Sequence, residues 1–279
     1  MGKHSGQILI LVLLVVVVAL AIGLSVASRN ITNLRTSIQT EQSQRAFSAA
    51  EGGVEDILSR GQTEISNLAA AGNPVTVNFG NIQANVDIKS FNVYEAVVEE
   101  GTVAQVDLNG YSGDVAVEWI LQADTQTENL SPKASIEVSF VCQSASCIAA
   151  PPSGCSSSTS AGGYSQLRCA YQAETISSQD GFTQCSANPP GDKYLCRTGT
   201  FTVASSDNAK VMRIRPFWRK ATVKVNGNPQ LPIQAYDVVS TATTPDLGIT
   251  RRVQVTRTVL PQLPASFDYV LFSETDIVK

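Results

Sequence analysis

The chain has 279 residues, 20 of them basic and 24 acidic, with a net charge of −4, a single histidine and six cysteines. A sequence pI near 5.1 leaves no electrostatic footprint for duplex nucleic acid. The lone histidine, His4, precedes an apolar segment, so histidine triads and His-ligated metal sites are unavailable to the folded body.

Charge is low, at 16% of residues, and the deficit is local. Ser5 to Ser28 holds no charge, and Cys142 to Cys196 holds five in 55 residues, while the remaining 200 residues carry 39, a normal density for a soluble domain. The first gap contains Ile8 to Ala27, twenty residues long, which as a helix would span about 30 Å and match a bilayer core. A cleaved secretory signal competes with this reading, since Lys3 gives a basic start and Ser25-Val26-Ala27 a small-x-small site. Its apolar core is longer than such signals use, and the chain continues as helix beyond it. Lys3 and the amino terminus nearly balance Arg29 and Arg35 across the segment, so positive-inside counting does not orient it. The cysteines do: six thiols confined to one stretch belong where disulfides persist, which places the body outside the cytoplasm and the amino terminus inside.

Beyond the span, Arg29 to Leu68 has no proline, and Ile31, Leu34, Ile38, Ala46, Ala49, Ala50, Val54, Ile57, Leu58, Ile65 and Leu68 recur at helical spacing. A helix from Ile8 to about Ser59 would be about 78 Å long, more than a bilayer needs. It is charge-graded, with Arg29 and Arg35 early and Glu41, Glu51, Glu55 and Asp56 late. Gly52-Gly53 interrupts it near the end, which calls for a bend or a close approach.

Two stretches carry a family resemblance: Ser5-Gly6-Gln7 before the apolar run, and Arg45-Ala46-Phe47-Ser48-Ala49-Ala50-Glu51-Gly52-Gly53-Val54-Glu55 in the amphipathic half. The first 60 residues or so resemble the amino-terminal region of PilX-type minor pilins of type IV pili and, more distantly, K-type minor pseudopilins of type II secretion. Ala46, Phe47, Ala49, Ala50, Glu51 and Gly53 match the family signature. The resemblance implies a leader of residues 1–6 cut by prepilin peptidase between Gly6 and Gln7. It further implies a helical segment over 7–72, held first in the lipid bilayer and later among other pilin-like subunits by the pilus assembly machinery. Two positions depart from the major-pilin pattern: Gln7 replaces the usual aromatic at the first mature position, and Leu11 stands where a glutamate is usual at the fifth. That glutamate is thought to pair with a neighbour's amino terminus, so its loss implies a tip or priming subunit. Without cleavage at Gly6, the alternative is a single-pass anchored surface or adhesion protein that never enters a filament.

From Asn73-Pro74 onward the pattern becomes short β-type runs, at Val75 to Phe79, Ala84 to Val93, Thr102 to Leu108, Val115 to Leu121, Ala134 to Val141, Gly199 to Val203, Lys210 to Arg215, Ala221 to Val225, Ile233 to Val239, Arg251 to Val259 and Phe267 to Phe272. Asn109-Gly110 and Asn226-Gly227 read as turns between them. The expected class is α+β: a long N-terminal transmembrane and amphipathic helix packed on a mostly antiparallel β-rich domain, 73–279. That domain carries a cysteine-rich insert at 142–196. Cys142, Cys147, Cys155, Cys169, Cys185 and Cys196 include no C-x-x-C and have no nearby His, which favours two or three disulfides over zinc, with fifteen pairings open. Serine and glycine around them leave the insert without a core of its own, as a contact surface or a solvated loop.

No catalytic, cofactor-binding or metal site is expected, and the chain is read as a non-enzyme. Asp107 to Asp114 gathers side-chain oxygens around Gly110, but an Asn-Gly turn explains it better than a calcium loop. Glu99-Glu100 reads as solvated turn charge. Arg213, Arg215, Arg219 and Lys220 around Pro216-Phe217-Trp218, with Arg251 and Arg252, form the one pattern that fits a single-stranded DNA ligand, and outward-facing strand residues explain it equally. Asn30-Ile31-Thr32 and Asn129-Leu130-Ser131 match glycan acceptors, a pattern short enough to recur by chance.

Overall fold

The computed structural model describes residues 5–159, 163–174 and 181–264. The expected run Phe267 to Phe272 lies outside them. Two helices open the chain, α1 (Ser5–Ser59) and α2 (Gln62–Ala71), and all the strands follow, so the class is α+β. The chain divides into two compact units, one of residues 1–88 with 238–255 and one of residues 89–237 with 256–279.

In the first unit α1 runs unbroken for 55 residues. Gly52-Gly53 does not interrupt it, because the two glycines serve close approach instead of a bend. A Cβ at Gly52 would lie 2.6 Å from Cζ of Phe79, and one at Gly53 would lie 2.6 Å from Oγ of Ser240. Strands β1 (Val75–Phe79) and β2 (Ile82–Phe91) form an antiparallel hairpin in which Phe79 faces Ile82. Gly80, at φ +63°, takes the first central position of its two-residue turn, where a positive φ matches the strand twist. Later strands β15 (Ala235–Thr243) and β16 (Thr250–Thr258) complete a four-stranded sheet of order β1-β2-β15-β16. β2 alternates buried Ile82, Ala84, Val86 and Ile88 with exposed polar residues, the period-two signature of a sheet covered on one face. Ala49 and Ala50 of α1 join Ile82, Ala84 and Ala242 in its core.

The second unit holds the other strands: β3 (Tyr94–Val98), β4 (Thr102–Asp107), β5 (Gly113–Leu121), β6 (Ser135–Cys142), β7 (Cys155–Thr159), β8 (Ser165–Gln172), β9 (Thr183–Gln184), β10 (Ser186–Ala187), β11 (Tyr194–Arg197), β12 (Phe201–Val203), β13 (Ala209–Phe217), β14 (Ala221–Asn228) and β17 (Leu263–Pro264). One sheet runs β10-β11-β5-β14-β3, with β12 also on β5, and another runs β17-β4-β13-β6-β8-β7, with β9 on β8. Both contribute to one core, in which Val117 and Trp119 of β5 and Val223 of β14 meet Val138 and Phe140 of β6 and Ile214 of β13. Trp119 is fully buried, and its indole Nε1 donates to the Ala134 carbonyl at 3.0 Å, so its one polar atom is satisfied.

Three expectations change here. The insert has no core of its own, but it is not a solvated loop: β8 lies between β6 and β7, and its residues Leu167, Cys169 and Tyr171 are buried in the core shared with the rest of this unit. Asn226-Gly227 is no turn, since both residues lie within β14 and Gly227 pairs with Val115. A Cβ there would meet Leu231 at 2.8 Å, which is the reason for glycine. A further strand, β3, follows β2 after a break at Asn92-Val93. The cysteines pair consecutively, Cys142 with Cys147, Cys155 with Cys169 and Cys185 with Cys196.

Candidate interface on the long helix

The side chain of every residue from Val12 to Glu41 is exposed. Eleven large aliphatic side chains between Val12 and Val26 have exposures of 48% to 70%. Burying what remains exposed of each would gain roughly 1–2 kcal/mol, so a stretch like this is a candidate for cover by lipid or by other helices. This is the one helix among the described residues long and apolar enough to cross a membrane. The apolar side chains continue past the span, with Ile31, Leu34 and Ile38 at 55%, 63% and 48% exposure.

At Gln42 the helix meets its own sheet. Gln42, Ala46, Ala49, Ala50, Gly53, Val54 and Ile57 are buried, at helical spacing. Arg45 Nη2 donates to Asn81 Oδ1 at 3.2 Å, and Arg251 Nε donates to Ser43 Oγ at 2.8 Å. Of the signature residues, Ala46, Ala49, Ala50 and Gly53 therefore face the sheet, whereas Phe47 at 45% exposure and Glu51 face outward. Small side chains here let the helix backbone approach the strands, so this part of the signature has a packing reason within the chain. Phe47 has none. An open cleft lies beside this contact, lined by Glu41, Gln44, Arg45, Ser48, Ala49, Phe79 and Ile82. Below it, Thr32, Thr36 and Thr40 each donate a hydroxyl to the carbonyl four residues earlier, at 3.0, 3.0 and 2.8 Å. Those bonds satisfy three hydroxyls inside the helix, as a residue facing lipid or an apolar neighbour requires.

Gly6 and Gln7 lie within α1, and their side chains are outside the description. The six cysteines are all paired and none is a free thiol. The basic pattern of the body is largely committed. Arg213 is 8% exposed, Arg219 donates from Nε to the Pro132 carbonyl at 2.7 Å and from Nη2 to that of Ser131 at 3.2 Å, and the Arg215 guanidinium stacks 4.8 Å from the Phe217 ring. Phe182, Phe217 and Trp218 form one ring cluster, with centroids 5.3–6.1 Å apart.

Asp107 to Asp114 forms the expected turn. Asp107 Oδ1 accepts the Asn109 N–H at 2.9 Å, the Tyr111 N–H closes on the Leu108 carbonyl at 2.9 Å, and Gly110 sits at φ +76°. Among the described residues no group of three or more His, Cys, Asp or Glu is placed to hold a metal ion. Sequence reasoning missed Glu128, a carboxylate 2% exposed, which accepts the Leu121 N–H at 3.0 Å and the Thr222 hydroxyl at 2.6 Å. Both its oxygens serve the strands, and nothing in its sequence neighbourhood signals that. Glu174 was also missed. The Ser131 hydroxyl, first, and the Lys133 backbone and ammonium hold its carboxyl below the usual range. Burial pushes the Tyr171 phenol up to about 12.

No family model matches the chain, and no curated protein matches it. A solved structure described as "AvmM Catalyzes Macrocyclization in Alchivemycin A Biosynthesis" is similar over 67% of this chain and 95% of its own, at 13% identity and a TM-score of 0.14. A superposition that loose carries no argument about fold or function.

Proposed function

We propose that this chain is a structural, non-enzymatic subunit of a type IV pilus or related filament, resembling a minor pilin and acting at the tip or in priming. One observation carries the reading. A helix exposed from Val12 to Glu41 continues without a break into an alanine-lined face packed on its own sheet. Such a helix is stable in a bilayer and equally stable in a bundle of like helices, so the subunit can be stored in the first and drawn into the second. The Leu11 position supports a terminal place, because no glutamate stands there to meet the amino terminus of a subunit above. Three disulfides support an extracytoplasmic body, with the amino terminus on the cytoplasmic side of the membrane. Prepilin peptidase, the lipid bilayer and the assembly machinery are the partners this reading requires.

Intact-mass measurement of the protein from its native membrane tests the assignment. The expected species lacks Met1 to Gly6 and begins at Gln7. A chain that keeps this leader is an anchored surface protein and overturns the pilin reading.

A further inference from the structure

Two positive charges on α1 have no counter-charge in their own chain. Arg29 and Arg35 are exposed and form no ion pair among the described residues, and the positions three and four residues to either side of each are uncharged. They flank Thr32 and Thr36, whose hydroxyls are already bonded within the helix. Farther along, Glu51 and Glu55 are also exposed and without an ion pair among the described residues, whereas Asp56 is taken by Arg60 at 2.7 Å. Four residues apart, these two carboxylates share one helix face. Water and lipid headgroups solvate such charges while the apolar run sits in a bilayer. Among packed helices an unpaired guanidinium is costly, so a bundle has to set Arg29 and Arg35 against carboxylates.

Copies drawn from one membrane run parallel, so an axial offset brings each residue of the outer copy level with a later residue of the inner one. An offset of 6 residues sets Arg35 against Glu41 but Arg29 against Arg35. One of 12 sets Arg29 against Glu41 and leaves Arg35 at Phe47, and one of 16 sets Arg35 against Glu51 but Arg29 against Arg45. One of 26 sets Arg29 against Glu55 but Arg35 beside Arg60. At about 21 residues both arginines come within one residue of a carboxylate, Arg29 of Glu51 and Arg35 of Glu55. We propose that α1 docks on a second copy of this chain in that register, the face bearing Arg29 and Arg35 lying on the other copy's face bearing Glu51 and Glu55. This rests on the filament reading above, though not on a terminal place. The offset is about 31 Å, close to the thickness of a bilayer core. Two copies both seated in lipid therefore cannot make the contact, and it forms once the outer copy has been drawn out by one membrane thickness. Phe47, 45% exposed, then comes level with the end of the other copy's apolar run. The contact joins unlike faces, the kind that extends into a filament instead of closing a symmetric dimer.

Photo-crosslinking in cells that assemble filaments tests the register. A copy with a photo-reactive residue in place of Thr32 should form an adduct within Ser48 to Asp56 of a tagged second copy in sheared filaments, mapped by peptide mass. Arg29→Glu with Arg35→Glu in the first copy should cut that adduct at least about tenfold, and Glu51→Arg with Glu55→Arg in the second should restore it. All four side chains are exposed, so the melting temperature of the body should not move. An adduct level with Thr32 of the second copy, adducts to other subunits alone, or charge reversal without restoration overturns the proposal and leaves a filament role standing. A chain missing from the filaments overturns the filament reading itself, and the docking with it.

Discussion

Replacing all six cysteines by serine should leave the body unfolded at 37 °C. The bridges close loops with sequence separations of 5, 14 and 11. In the chain-entropy description they contribute about 2, 3 and 3 kcal/mol, a total comparable to the 5–15 kcal/mol that holds a typical domain folded. The cost reaches the core because of where the bridges sit. Cys142, Cys169 and Cys196 are buried at 0%, 1% and 1% exposure, and they stand on β6, β8 and β11, so serine at each puts a hydroxyl among apolar neighbours. Cys155 and Cys169 lie directly opposite each other on β7 and β8, and that bridge fastens an edge strand whose other side is unpaired among the described residues. Removing this pair alone should lower the melting temperature by about 6–12 °C for a body of this size. Thermal unfolding followed by circular dichroism, with and without reductant, measures it. A reduced protein that melts within about 2 °C of the oxidised one would show that the bridges merely decorate a stable sheet.

Val17→Asp with Val18→Asp should remove the protein from membranes. Each aspartate at the centre of a span costs about 2.5–3.5 kcal/mol, so the pair shifts partition by about 10⁴-fold. Val17 and Val18 are 56% and 48% exposed and lie far along the helix from Gln42, where burial against the sheet begins. The melting temperature of the body should therefore stay where it is, which separates failed insertion from misfolding. Sedimentation of membranes from cells making the double variant reads the outcome. A variant that still pellets with membranes would contradict insertion through this segment.

The helix was legible from sequence because a twenty-residue apolar run followed by regular three-four spacing reads as one continuous helix whether its apolar part serves as an anchor or as a signal. Most strands were legible for the same reason, since Val and Ile at period two mark a half-buried surface. The readings that failed share a physical cause. Ser165 to Gln172 alternates as cleanly as any strand, but its inward residues are Leu167, Cys169 and Tyr171, and a cysteine taken as a staple is not counted as a core side chain. Asn226-Gly227 has turn chemistry, yet it lies inside β14, and the glycine answers to Leu231 and the Pro229 carbonyl just downstream, where the chain folds back so that a Cβ would find no room. Gly52-Gly53 was ambiguous between bend and close approach until Phe79 and Ser240, distant in sequence, were placed against it. At the candidate interface, sequence named Ala46, Ala49, Ala50 and Gly53 as a set with Phe47 and Glu51, and only the fold separates the four that face the sheet from the two that face outward.

The proposed membrane and filament roles both rest on the exposed length of α1 finding a cover, and one measurement distinguishes what covers it. A photo-crosslinking residue in place of Leu34, 63% exposed and beyond the apolar span, should give a covalent adduct with the helix of another pilin-like subunit in filaments sheared from the cell surface. Absence of the chain from sheared filaments, with crosslinks to lipid alone, would contradict a role in a filament.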